Sequence, residues 1–144
     1  MNFIAGIILF ALAVNLVLHI SADIFNLRNL STALPESFRD WYDPDRYRKA
    51  QEYLRVNTRF EWVASFVSLL VFLVLWFGHG FPMLDQWVRS LAHFPVVRGL
   101  IYIGVLVGIK AVISLPFSVY STFVIEGRFG FNRTDAKTFI ADLI

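Results

Sequence analysis

The sequence predicts an all-α protein whose helices cross a membrane three times, with an amphipathic helix in a cytoplasmic loop. Hydrophobic residues make up 57% of the 144 residues and charged residues only 17%, whereas a soluble domain carries about 25% charged residues. The charges are also clustered, since residues 21–61 hold 14 of the 24 charged side chains, seven of each sign. Outside this segment, residues 3–20, 62–81 and 99–125 are nearly free of charge, and each stretch is long enough to cross a hydrocarbon core of roughly 30 Å as a helix.

The composition excludes several classes of function. Fifteen Phe and four Trp are incompatible with a disordered chain, which needs low hydrophobicity. The lack of cysteine excludes disulfides, thiolate zinc sites and cysteine nucleophiles. The formal net charge is only +2, so the sequence gives no reason to expect nucleic acid as a partner.

The first hydrophobic stretch, residues 3–20, has two interpretations. A signal peptide would need a basic N-terminal region and a short hydrophobic region of about 7–15 residues. Met1 and Asn2 carry no basic charge, and the apolar run is longer than that. We therefore predict a membrane span, although residues 20–22 would also suit signal cleavage.

Two features set the predicted membrane topology. Trp62 and Trp76 lie near the ends of the second stretch, where aromatic rings collect at the membrane surface. The segment 21–61 has seven Lys and Arg, the loop at residues 78–98 has two, and the end beyond residue 125 has three. Because basic residues favour the cytoplasmic side, we expect the N-terminus to lie outside or in the lumen and the loop at 21–61 to lie in the cytoplasm.

Within that loop, residues 43–45 read Asp-Pro-Asp and predict the start of a helix. The first carboxylate can cap the helix, proline suits the first helical position, and the second acid lies at the positive end of the helix dipole. Apolar residues come after it at helical spacing, which predicts an amphipathic helix that leads into the second span. Its basic face would meet either lipid headgroups or a further domain.

The third stretch carries a single charge, Lys110, near its middle. An ammonium there costs roughly 2.5–3.5 kcal/mol on membrane-insertion scales. Lys110 therefore either lines a substrate or water cavity, or it snorkels or pairs with a carboxylate of a neighbouring helix. At 100° per residue, three serines lie towards the same side of the helix. The predicted cavity-lining residues are Lys110, Ser114, Ser118 and Ser121.

Two other features of the third stretch concern the helix itself. Gly104 and Gly108 form a GxxxG pair, which allows another helix to approach closely. Pro116 removes one backbone donor and predicts a kink.

The sequence offers no catalytic residues and no metal ligands. None of His19, His79 and His93 is followed by Glu, and no two of them are four residues apart, so the HExxH zinc motif cannot be built from this chain. A GxSxG elbow, a phosphate-binding glycine loop and a dinucleotide fingerprint are absent as well.

At the exit of the third stretch the sequence resembles a known family. Residues 115–126 read LPFSVYSTFVIE, residues 128–134 read RFGFNRT, and residues 139–142 read FIAD. Together with YRKAQEY at residues 47–53, these segments resemble the N-terminal membrane region of the type I CAAX prenyl proteases, which are integral-membrane zinc metallopeptidases. The resemblance covers about residues 34–144. Gly127 departs from the acidic residue expected at its position.

The resemblance implies an all-helical membrane protein that encloses a large water-filled chamber, with zinc held by an HExxH motif and a downstream Glu. It implies proteolysis of a prenylated or other membrane protein, in the bacterial inner membrane or the endoplasmic reticulum. None of the zinc ligands lies in this sequence. Residues 1–144 are therefore expected to form an N-terminal transmembrane domain that is inactive alone and has the lipid bilayer and the remaining catalytic part of the enzyme as partners.

The exit segment is expected to have a structural role. Gly127 and Gly130 would permit a turn, and Asn132 or Thr134 could cap a helix that begins near Asp135. We expect the segment to brace the cytoplasmic end of the chamber, and a generic turn at the membrane surface is the alternative. The predicted structural exit motif comprises Glu126, Phe129, Gly130, Phe131 and Asn132.

The sequence supports two functional hypotheses. The first is that the chain is the membrane portion of a zinc metalloendopeptidase and forms part of its chamber wall without the zinc site. The second is a non-enzymatic scaffold or assembly protein with three spans, because a shared fold does not establish a shared function.

Overall fold

Helices account for nearly all of residues 3–38 and 40–142, the parts of the chain that the computed structural model describes, and no strand occurs among them. A short 3₁₀ turn at Glu36–Phe38 and a π-helix at Ser121–Glu126 accompany the α-helices. The α-helices in chain order are α1 (Phe3–Asn29), α2 (Pro44–Phe77), α3 (Gly80–Leu91), α4 (Pro95–Tyr120), α5 (Gly127–Phe129) and α6 (Ala136–Ala141). The predicted all-α class is confirmed.

Three helical segments are long and apolar enough to cross a membrane, namely α1, α2 and the continuous run Pro95–Phe129. In each of them, no residue of the most hydrophobic 18-residue window is buried within the chain. Apolar side chains that face outwards in this way are suited to lipid, which solvates them as well as a protein core would. The three predicted spans are therefore confirmed as helices, and the chain is a multi-pass integral membrane protein.

The first helix extends nine residues beyond the predicted end of its span at residue 20. His19, just before this extension, lies one turn from Asp23 within it, with Nδ1 and Oδ2 separated by 3.1 Å. Hydrophobicity marks where a chain can enter lipid, whereas a helix ends only where its backbone hydrogen bonds end, so the two limits differ.

The second helix joins the predicted amphipathic helix and the second span into one element of 34 residues. Asp43 Oδ1 accepts a hydrogen bond from the Asp45 backbone N–H at 2.9 Å. This bond satisfies one of the N–H groups that lack an intrahelical partner at the start of a helix. The helix start predicted from residues 43–45 is confirmed.

The connection between the second and third spans, residues 78–98, is largely helical, because α3 occupies most of it, and this helix was not predicted. The second helix ends at Phe77, four residues before the predicted end of the span, and His79 adopts the left-handed conformation with φ 60°. Pro82 does not prevent the new helix, since it lies in the first turn, where the backbone N–H has no helical partner. Val88, on the inner face of α3, is only 1% exposed.

The third span continues as a helix through Pro116 and then loosens into the π-helix. Gly127 is helical, with φ −59° and ψ −44°, so the prediction of a turn at this residue is wrong. The chain turns only at Gly130, whose φ of 75° is accessible to glycine without strain. At Pro116 the missing backbone N–H weakens the helix locally, but it does not end the helix, because the following turns form their own hydrogen bonds.

The last helix begins where predicted, although its cap is Asp135 and neither Asn132 nor Thr134. Asp135 Oδ1 accepts the Thr138 backbone N–H at 2.7 Å. That backbone hydrogen bond is the main reason why the pKa of Asp135 is lower than its usual value. Asn132 Oδ1 instead accepts the Thr134 N–H at 2.7 Å and shapes the turn that precedes the helix.

The chain consists of two compact units, with the boundary between Arg59 and Phe60. The first contains α1, the 3₁₀ turn and the beginning of α2, and the second contains the remainder. Two cavities between helices lie in the second unit.

We predict that Gly80→Ala destabilises the protein. A Cβ at Gly80 would lie 2.7 Å from Leu75 Cδ2 and 3.1 Å from Leu75 O, so the Leu75 side chain would have to turn away and the α2 backbone would have to shift slightly, at a cost of about 1–3 kcal/mol. Thermal unfolding in detergent, followed by circular dichroism, measures the effect. Gly6→Ala is the matched control, because nothing lies within 4 Å of its Cβ position and alanine favours a helix. Equal melting temperatures of the two variants would contradict the predicted clash.

We also predict that α6 depends on the ionised form of Asp135. Its folded pKa is below the usual value of 3.8, so the stabilisation is complete above that pH and is lost as the pH falls through the folded pKa. Hydrogen exchange of the amides at residues 136–141, corrected for the intrinsic effect of pH, should show this loss. Asp135→Ala should abolish protection at neutral pH, whereas Asp142→Ala, at the other end of the helix, should not. Unchanged protection in Asp135→Ala would refute the cap.

Candidate functional site

A groove of about 400 Å³ lies between α2, α3 and α4, and we call it the Lys110 groove. Its lining is almost entirely apolar, apart from the ammonium of Lys110 and two serine hydroxyls. The lining residues are Ser68, Val71, Phe72 and Leu75 from α2, Phe81 from α3, and Leu106, Ile109, Lys110, Ile113 and Ser114 from α4.

The groove side of α4 is set by the helical repeat. Its five lining residues recur at intervals of one, three and four, so they share one face of the helix. Gly104 and Gly108 lie roughly opposite this face at 100° per residue, and nothing lies within 4 Å of a Cβ built at either position. The GxxxG face is therefore separate from the Lys110 groove.

Aromatic contacts hold α2 against α3 and α4. Near the turn after α2, the ring centroids of Phe72 and Phe81 are 5.8 Å apart, and Trp76 lies 5.6 Å from Phe72 and 6.2 Å from Phe81. Towards the other end of α4, Phe60 lies 5.0 Å from Tyr120 and 5.9 Å from Phe117. Such ring pairs contribute beyond the area that they bury. The first cluster shares Phe72 and Phe81 with the Lys110 groove, and the second lies nearer to the start of α2.

The polar groups of the groove differ in their hydrogen bonds. The Ser68 hydroxyl donates to the Ala64 carbonyl at 2.8 Å, and the Ser114 hydroxyl donates to the Ala111 carbonyl at 3.1 Å. Among the described residues, the Lys110 ammonium has neither an ion-pair partner nor a hydrogen-bond acceptor. The groove thus presents one uncompensated positive charge.

The predicted polar stripe is only partly assembled in the groove. Lys110 and Ser114 line it, whereas Ser118 and Ser121 do not, because the lining of the groove on α4 ends at Ser114. For all four residues of the stripe, a role in lining the cavity of an enzyme stays a prediction. Ser68 and the aromatic residues of α2 and α3 were not predicted, since an isolated serine and scattered aromatic residues carry no signal in a sequence.

The exit motif forms a tight hydrogen-bonded turn. Phe131 and Asn132 donate their backbone N–H groups to the Glu126 carbonyl at 2.9 and 3.3 Å, and Gly130 donates to the Gly127 carbonyl at 3.2 Å. This pattern, with a left-handed glycine after the last helical residue, is a Schellman motif. It ends the long helical run that begins at Pro95.

Aromatic side chains fix the path of the chain after this turn. The rings of Phe123 and Phe139 meet edge to face, with centroids 5.3 Å apart, so α6 folds back against the π-helix. The Arg128 guanidinium lies 5.7 Å from the centre of the Phe129 ring, and Phe131 is 38% exposed. The five motif residues therefore lie in one compact corner, although their role in an enzyme stays a prediction.

Zinc is the metal that the sequence resemblance implies. Within residues 3–38 and 40–142, no three His, Cys, Asp or Glu side chains are grouped closely enough to hold a metal ion. The only histidine with a carboxylate neighbour in the ion pairs of this region is His19, which contacts Asp23. These residues therefore do not fit a zinc site among themselves.

Comparison with known proteins identifies a family and several relatives. The family described as "CAAX prenyl protease N-terminal, five membrane helices" matches residues 23–144. The protein named probable CAAX prenyl protease 1 in Schizosaccharomyces pombe is 30% identical over 123 residues, which covers 76% of this chain and 26% of that protein. The CAAX prenyl protease 1 of Saccharomyces cerevisiae is also 30% identical over 123 residues, covering 78% of this chain and 27% of the relative.

A solved structure has a similar fold. The crystal structure of S. mikatae Ste24p superposes with a TM-score of 0.67 at 25% identity, over 90% of this chain and 33% of Ste24p. The chain thus spans about a quarter to a third of the length of these relatives. Because the family match covers most of the sequence, including both the second and third spans and the exit turn, the chain belongs to the family of CAAX prenyl protease N-terminal regions.

Proposed function

We propose that this chain forms part of the wall of an intramembrane chamber in a CAAX prenyl protease-like zinc metalloendopeptidase, while the rest of the enzyme supplies the zinc site. The observation that carries this proposal is the Lys110 groove, which holds an uncompensated ammonium halfway along a membrane helix of a chain that belongs to this family. The substrate would be a prenylated protein or another membrane protein.

The energetic argument concerns the position of Lys110. It is the sixteenth residue of the 35-residue run Pro95–Phe129, so it lies near the centre of the span. An ammonium facing lipid at that depth is costly, and such residues normally face a protein interior or water. Lys110 lines a groove with α2 and α3 and lacks a carboxylate partner among the described residues, which supports a water-filled chamber on this side of α4.

The exit turn supports the same proposal in another way. The Schellman motif at Gly130 and the contact between Phe123 and Phe139 set the direction in which the chain leaves the third span. We infer that this corner braces the cytoplasmic end of the chamber against the catalytic part. A rigid corner suits that role better than an extended linker would, because it loses little conformational entropy on assembly.

Exchange of the matching segment between enzymes tests the proposal. In the Saccharomyces cerevisiae relative, residues 23–144 of this chain would replace the segment to which they align. We expect the chimera to cleave a prenylated C-terminal peptide, and the enzyme that lacks the segment to be inactive. Product release is measured by mass spectrometry, and a monodisperse, zinc-loaded preparation is the control for folding.

Two outcomes would overturn the chamber-wall proposal. One is full activity of the enzyme without the segment. The other is a folded, zinc-loaded chimera that does not cleave the peptide, which would favour the non-enzymatic scaffold.

Substitution of Lys110 tests its role in the chamber. We predict that Lys110→Met lowers the activity of the active chimera about tenfold without lowering the folded yield, because removal of the charge relieves the cost of insertion but also removes the polar group from the chamber wall. Val112→Met is the matched control on the same helix, since Val112 is 72% exposed and lies outside the groove. Wild-type turnover in Lys110→Met would assign the lysine a purely structural role.

A further inference from the structure

A second cavity, separate from the Lys110 groove, lies where α3 ends and α4 begins. Its volume is about 450 Å³. Asp85 and Arg89 line it from α3, and Arg98 and Tyr102 line it from the first turns of α4. We call it the corner pocket.

Arg98 is incompletely satisfied in this pocket. Its Nη2 donates to the His93 carbonyl at 2.8 Å, whereas its Nε is buried and has no hydrogen-bond partner in the described part of the chain. A buried donor without an acceptor is unfavourable. Arg98 also lines the corner pocket, so a small shift of its side chain would bring Nε to an acceptor that enters this pocket.

The charges of the pocket favour an anion as that acceptor. Arg89 Nε contacts Asp85 Oδ2 at 2.7 Å, so these two side chains neutralise each other. Arg98 has no carboxylate partner in the ion pairs of residues 3–38 and 40–142. One positive charge thus remains in the pocket, on a planar group that binds phosphate oxygens through two parallel hydrogen bonds.

The position of α3 places the pocket at the membrane surface. Twelve residues make a helix of about 18 Å, which is too short to span a bilayer. Met83, Trp87 and Leu91 form an exposed apolar stripe on one side of α3, at 66%, 51% and 55% exposure, while Asp85 and Arg89 lie on another. A helix with these two faces lies in the interface with its apolar side in the acyl region.

We propose that the corner pocket binds the phosphodiester of an anionic phospholipid, with Arg98 as the main ligand and the Tyr102 hydroxyl as a further donor. The lipid, and not free phosphate, is the occupant because the apolar stripe of α3 holds the pocket at the depth of the headgroups. An anionic headgroup is preferred over a choline headgroup, since the choline cation would oppose the unpaired charge of Arg98.

Lipid titration of the purified full chain in neutral detergent tests this proposal. Phosphatidylglycerol should raise the melting temperature and be retained in native mass spectrometry more strongly than phosphatidylcholine. Arg98→Gln should weaken the apparent affinity for phosphatidylglycerol about tenfold, as expected for the loss of one charge-assisted hydrogen bond. Arg133→Gln is the matched control, because Arg133 is an exposed arginine outside the pocket, and this variant should bind the lipid as the wild type does.

Several results would overturn the proposal. One is an equal rise in melting temperature with the two lipids on the wild-type chain. Another is an equal loss of affinity in Arg98→Gln and Arg133→Gln. A third is that millimolar inorganic phosphate raises the melting temperature as much as phosphatidylglycerol does. If Arg98→Gln does not fold, Tyr102→Phe replaces it, with an expected loss of about threefold for one neutral hydrogen bond. The comparison of lipids on the wild type is decisive in either case.

Discussion

The need to satisfy every backbone hydrogen bond inside lipid determines most of this structure. A hydrocarbon core offers no partners to N–H and C=O groups, so a chain that crosses it in single apolar segments must form helices. The three long apolar segments obey this constraint, and they also keep their helical bonds well beyond the apolar residues. Even Pro116, which lacks a donor, is accommodated within a continuous helix, and the π-helix after it restores backbone bonding before the chain turns.

In the second unit, directional contacts between side chains hold the helices together more than the burial of apolar surface does. Lipid is as apolar as leucine, so helices in a membrane gain little by hiding leucine from it, and few residues are buried. The rings of Phe60 and Tyr120 at one end, and of Phe72 and Phe81 at the other, supply directional packing. Phe72 and Phe81 also line the Lys110 groove, so the same contact that packs α3 against α2 shapes one side of the groove, in which the exposed Lys110 side chain lies. Membership of the CAAX prenyl protease N-terminal family gives that arrangement a proposed use as a chamber wall.

Local chemistry explains where prediction from the sequence succeeded and failed. The helix start at Asp43 and the turn at Gly130 were predictable, because a cap and a left-handed glycine depend on neighbouring residues only. The helix α3 was missed because Gly80 and Pro82 resemble a loop until their positions in a first turn are known. Gly127 was assigned to a turn for the same reason, since glycine permits a turn without requiring one. In the polar stripe, spacing along one helix could not show that Ser118 and Ser121 lie outside the groove, because the length of the groove depends on where α2 and α3 pack against α4.

The sequence by itself determined the class of protein, the three apolar segments long enough to cross a membrane, and the family, since hydrophobicity, charge distribution and the exit motif are all local properties of the chain. Only the tertiary structure decided that Ser68 and Phe81 line the same groove as Lys110, and that Arg89 and Arg98 share a pocket at the corner of α3 and α4. Those pairings join residues from separate helices. Their geometry depends on how ring contacts and a left-handed residue at position 79 orient one helix against the next, which no pattern along a single helix records.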